Sequence, residues 1–85
     1  MTKIFKYPLG HTTVQSVMLP KGAEILSIQL TEHGVAFWAE VEPLNEQVKV
    51  TIHMVYTGEE VPPQTLYIGT VVQGEWVLHF YRGIR

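Results

Sequence analysis

At 85 residues, with 46% hydrophobic content and no cysteine, the chain has room for one domain whose small core rests on packing, without disulfides or thiolate–metal ligation. A formal charge of −2 argues against a general nucleic-acid binder, whose affinity comes from neutralising many phosphates. No basic segment leads into an apolar run, and no apolar stretch approaches the roughly 18 residues of a membrane span, so a soluble, cytoplasmic protein without a signal peptide or membrane partner is expected.

Lys3 to Leu9 reads as a first strand, its Pro8 favouring an edge or a bend. Gly10-His11 turns the chain, and Thr12 to Leu19 resumes an extended run with Val17 and Leu19 on one face. Pro20-Lys21-Gly22 is turn chemistry. Glu24 to Val41 then reads as a hairpin over a primed two-residue turn at His33-Gly34, which pairs Leu30 with Phe37, Ile28 with Ala39 and Leu26 with Val41 on one apolar face. Its other face carries Gln29 opposite Trp38 and Ser27 opposite Glu40.

Gln47 to Thr57 alternates cleanly, with Val48, Val50, Ile52, Met54 and Tyr56 on one side and Lys49, Thr51 and His53 on the other. Gly58 to Pro63 breaks that strand with an extended, proline-stiffened loop. A second hairpin spans Thr65 to Tyr81, turning at Gln73-Gly74. It pairs Val71 with Trp76, Gly69 with Leu78 and Tyr67 with Phe80 on the inner face. Gly69 is the gap in that row, explained by a bulge or by a side chain entering from a facing sheet. The reverse face, with Leu66, Ile68, Thr70, Val77, His79 and Tyr81, is more apolar than a solvated sheet needs, so it is buried or meets a partner. The whole gives a single all-β domain over residues 1–85, a small antiparallel sandwich or partly open barrel of about seven strands.

Catalytic signatures are absent. Ser16 and Ser27 lie in strands, not on glycine-flanked turns, and the glutamates have no setting that would bury one of a pair. His11, His33, His53 and His79 lack metal-ligand spacing, although His53 and His79 are free to converge across neighbouring strands. Neither metal nor cofactor is expected, and the chain is not expected to be an enzyme. Aromatic residues are more abundant than a minimal core requires. Trp38 points away from Phe37, either as an interface anchor extended by His79 and Tyr81 beside Gln29, or as a second core layer under the terminal strands or the Pro62-Pro63 loop. Lys3, Lys6, Arg82 and Arg85 sit at the two ends of the chain, and they form one basic strip for an anionic group if the terminal strands are neighbours.

Lys3-Ile-Phe-Lys-Tyr-Pro-Leu9, Leu19-Pro-Lys-Gly-Ala-Glu-Ile-Leu-Ser-Ile-Gln29, Phe37-Trp-Ala39, Tyr67-Ile-Gly-Thr70 and Trp76-Val-Leu-His-Phe80 resemble a family of small bacteriophage and bacterial proteins described as a domain of unknown function. The likeness covers nearly the whole chain and departs mainly between Asn45 and Val61. It implies a phage or prophage setting and transfers no catalytic residue. The expected function is therefore a non-enzymatic binding protein that self-associates. In the host cytoplasm it would act in counter-defence, by docking on a host immune protein or by sequestering a signalling nucleotide. The alternative is a structural or accessory virion module that self-associates through sheet faces or edges.

Overall fold

The computed structural model describes residues 1–84. Its strands are β1 (Lys3–Pro8), β2 (Val14–Pro20), β3 (Glu24–Thr31), β4 (Gly34–Val41), β5 (Gln47–Tyr56), β6 (Thr65–Gln73) and β7 (Trp76–Gly83), with no helix among the described residues. A three-stranded sheet runs β1-β4-β3 and a four-stranded sheet runs β2-β5-β7-β6, and every pairing is antiparallel. The sheets pack face to face and do not close, so the architecture is a sandwich and not a barrel.

Strand alternation builds the core. From the smaller sheet come Ile28, Val35, Phe37, Ala39 and Val41, and they meet Leu19, Val50, Ile52, Met54, Val71, Leu78 and Phe80 from the larger one. No polar or charged residue is buried among those described. Burial of apolar area therefore has no desolvated charge to offset.

Both hairpins turn one residue away from the expected place. In the first, Glu32-His33 forms the loop, and Thr31 pairs with Gly34, Leu30 with Val35 and Ile28 with Phe37. Gly34 has φ 112°, whereas Glu32 and His33 do not have positive φ. The primed turn is thus replaced by a loop without positive φ, and the positive φ falls on Gly34, the first residue of β4. The Thr31 hydroxyl donates to the Gly34 carbonyl at 2.7 Å and accepts the His33 N–H at 3.2 Å, which closes the loop. In the second hairpin Gly74-Glu75 is the loop, with φ 61° at Gly74 and Gln73 opposite Trp76. Each pairing differs from expectation by two residues, and because side chains alternate with period two, Ile28, Phe37, Val71, Leu78 and Phe80 stay on the inner face.

Two bulges do change faces. One lies between Ile25 and Ser27, so Ile25 joins the core and Leu26 is left 47% exposed. The other lies between Tyr67 and Gly69, so Tyr67 turns outward and pairs with Tyr81 instead of Phe80. Gly69 has both of its expected explanations: it adjoins the bulge, and a Cβ there would lie 2.5 Å from Ile28 Cγ2 of the facing sheet. The terminal strands are not neighbours, since β1 pairs with β4 in one sheet while β7 lies between β5 and β6 in the other. Among the described residues no single basic strip forms.

Candidate functional site

The outer face of the larger sheet carries the most organised set of polar and aromatic side chains. Since Leu78 and Phe80 point inward, Val77, His79 and Tyr81 of β7 point outward. Tyr81 pairs with His53 of β5 on one side and Tyr67 of β6 on the other, and His79 pairs with Val55 and Thr70. The rings of Tyr67 and Tyr81 meet edge-on with centroids 5.5 Å apart, the geometry that the ring quadrupoles favour.

His79 is held at both nitrogens. Nδ1 lies 3.0 Å from the Thr70 hydroxyl and Nε2 lies 2.8 Å from the Thr57 hydroxyl. The Thr70 hydroxyl in turn bonds to the Tyr67 hydroxyl. A neutral imidazole offers one donor and one acceptor, and hydroxyls rotate to suit either tautomer, so the row Thr57–His79–Thr70–Tyr67 is satisfied from the turn after β5, across β7, to β6. It fixes the side chains of a flat surface. With both nitrogens committed to hydroxyls and no carboxylate on the ring, His79 has the setting of a positioned contact group, and not that of a general base oriented by an acid.

Beside this row the loop after β5 folds back. Val55, although outward-facing, is buried, and Glu59, Glu60 and Pro62 border a shallow depression with Thr13, His53 and Val55. At one open end of the sandwich a cavity of about 270 Å³ is lined by Leu9, His11, His33, Val35, Gln73 and Phe80 among others. His11 Nε2 lies 3.1 Å from the Tyr56 hydroxyl, and Tyr56 packs against Trp76 at 5.3 Å. Among the described residues no group of three His, Cys, Asp or Glu gathers as metal ligands do.

A family model, described as a domain of unknown function (DUF7352), matches residues 1–85. The chain belongs to that family. No curated protein matches it, and no solved structure does. In this family member the residues singled out from sequence fall on two opposite faces. His79 and Tyr81 lie together on the larger sheet. Trp38 and Gln29 lie on the outside of the smaller sheet, so the single patch expected from all four is divided. Trp38 is half-buried in the central strand β4, with β1 on one side, and the Lys6 ammonium stands 5.9 Å from its ring centroid. Lys6 thus occupies the ring face that a base would stack on. Gln29 donates to the Ser27 hydroxyl at 2.9 Å.

The basic residues are equally dispersed. Lys3 is exposed on β1, Arg82 borders a recess with Leu19, Val48 and Val50 at the opposite sheet, and Arg85 lies outside the described residues. His53 and His79 do share a face, diagonally placed across β5 and β7, but His79 is already taken by its threonines. Tyr67 and Thr57 are the site residues that sequence reading missed, whereas Thr70 was read onto the same face as His79 and Tyr81. The bulge that turns Tyr67 outward leaves no local signal beyond Gly69. Trp76, expected in the core, is 58% exposed because it is the first residue after the Gly74-Glu75 turn and projects past the sheet end.

Proposed function

We propose that this chain is a non-enzymatic binding protein that docks a protein partner on the outer face of its larger sheet, with Tyr67, Tyr81 and His79 as the anchoring contacts. The observation that carries this reading is the row Thr57–His79–Thr70–Tyr67, which pre-organises aromatic side chains on an open surface. Rigid tyrosines lose little conformational entropy on binding, and flat surfaces of tyrosine, threonine and histidine suit a protein better than a small molecule, which prefers a concave pocket. In the phage setting that the family resemblance implies, the partner is a host immune protein, met in the host cytoplasm, and the role is counter-defence. Nucleotide sequestration is the weaker version, because the basic groups are dispersed and Lys6 covers Trp38.

The test is quantitative isolation of partners on the tagged chain from a bacterial host carrying the defence it blocks, beside the Tyr67→Ala/Tyr81→Ala variant. The expected result is one host protein retained by the parent and weakened by about 30-fold or more in the variant, the size of a hot-spot loss of about 2 kcal/mol. A partner retained equally by both would remove this face from the reading. A nucleotide released from the denatured parent would favour sequestration.

A further inference from the structure

An open sandwich has four free sheet edges, here β1 and β3 in one sheet and β2 and β6 in the other. Unprotected edges pair with other strands, and proteins block them with charges, prolines or bulges. β1 carries Lys3, Lys6 and Pro8. β3 carries Glu24 and the bulge at Leu26, and β6 carries the bulge before Gly69. β2, Val-Gln-Ser-Val-Met-Leu-Pro, has no charge, no bulge and no proline before its last residue.

The phase of the β2–β5 ladder shows which backbone groups remain free. Met54 N–H donates to Thr13 C=O at 2.9 Å, and Lys21 N–H donates to Glu46 C=O at 2.7 Å. With the observed register, Gln15, Val17 and Leu19 therefore turn their N–H and C=O groups toward β5. Those of Val14, Ser16 and Met18 turn to the open edge. The Val14 carbonyl accepts only a long bond, 3.5 Å, from the Thr12 hydroxyl.

These free groups are palindromic about Ser16. We propose that β2 is a self-association edge: a second copy of the chain pairs with it antiparallel about a twofold axis at Ser16, placing Ser16 opposite Ser16 of the partner and Val14 opposite the partner's Met18. In this register all three residues fall in hydrogen-bonded pairs, each exchanging two bonds. Val14 and Met18, each 52% exposed on the outer face, meet across the seam as apolar cross-strand pairs. No charge lies on either strand to oppose the approach. A twofold contact closes on itself, so the product is a dimer and not a filament. It joins two four-stranded sheets into one continuous sheet and sets both copies of the Tyr67–His79–Tyr81 face on the same side. The dimer rests on the β2 backbone alone and does not require that face to bind anything.

The experiment uses the absence of cysteine from the chain. In a hydrogen-bonded antiparallel pair the Cα atoms lie about 5.5 Å apart, within disulfide range. Ser16→Cys should cross-link to a covalent dimer under mild oxidation. Met18→Cys alone should not, because its opposite number is Val14, whereas Val14→Cys/Met18→Cys should. Sedimentation of the unmodified chain should give twice its 9.7 kDa. Val14→Lys/Met18→Lys, which sets like charges opposite each other, should return the mass to that of a monomer with an unchanged circular dichroism spectrum. A monomeric parent at every concentration, cross-linking of Met18→Cys in preference to Ser16→Cys, or open-ended assembly would each overturn the proposal. So would a dimer that survives the lysine pair while folded. Those outcomes leave the partner-docking test unaffected, since it is read on Tyr67 and Tyr81.

Discussion

At Gly69 the lack of a side chain lets Ile28 of the facing sheet approach the backbone. A Cβ there would lie 2.5 Å from Ile28 Cγ2, so the side chain or the sheet must move. Gly69→Ala is expected to destabilise the fold by about 1–3 kcal/mol in urea denaturation, the usual range for overpacking. In an Ile28→Ala background the same change should cost distinctly less, because the opposing methyl is gone and the two sites are coupled. Equal costs in both backgrounds would place the strain elsewhere, in the neighbouring bulge. Tyr7 offers a second residue-scale test. It stacks on Phe37 with centroids 5.1 Å apart, and burial pushes its phenol above the ordinary value of 10.0. The folded chain holds that proton more tightly than the unfolded chain, so this contribution is intact below pH about 10 and is lost as pH rises through the folded value. As pH rises above about 10 the parent should lose stability more steeply than Tyr7→Phe. Parallel slopes would mean that the phenol ionises as freely in the fold as outside it.

At the scale of the element, strand positions were legible and turns were not quite. Val48, Val50, Ile52, Met54 and Tyr56 announce β5 by alternation alone, and Ile28 and Phe37 announce the inner face of the first hairpin. Sequence chemistry named Gly34 as the residue needing positive φ, which is correct, but placed it inside the loop beside His33 instead of just after it. The difference lies in the Thr31 hydroxyl, which closes the loop through the Gly34 carbonyl and the His33 N–H, and such a local bond has no signature in hydropathy. The two turns make opposite predictions. Gly34→Ala should cost about 1 kcal/mol or more, since φ is 112° there, while His33→Ala should stay within about 0.5 kcal/mol. Comparable losses for both would restore a primed turn with His33 in the left-handed region. Bulges were the harder feature to read. Leu26 and Ile25 are both apolar, so nothing local says which one faces in; the facing sheet decides, and with it the exposure of Tyr67 and the content of the candidate site.

Across the whole molecule the chain alternates between sheets, β1 in one, β2 in the other, β3 and β4 back in the first, then β5 to β7 in the second. Short-range pattern carries the hairpins but not these three crossings, because no residue at any of them states which sheet comes next. This is why Trp38 and His79, both correctly read as facing away from the core, end on opposite surfaces, and why the terminal lysines and Arg82 do not meet. The same topology makes Phe37 the residue on which both halves depend. It is fully buried in the central strand of the smaller sheet, packed by Tyr7 from β1 and belonging to the cluster that includes Leu78 and Phe80. Total stability for a chain this long is roughly 4–13 kcal/mol, and truncating a buried phenylalanine typically removes about 3–5 kcal/mol. Phe37→Ala should therefore leave the domain marginal or unfolded, seen as a collapsed urea midpoint and loss of near-ultraviolet dichroism. Tyr67→Ala, on an exposed ring outside the core, should shift stability by no more than about 1 kcal/mol. If the two substitutions were equally damaging, the outer face would be part of the structural core, and the surplus of ordered aromatic surface on which partner docking rests would disappear.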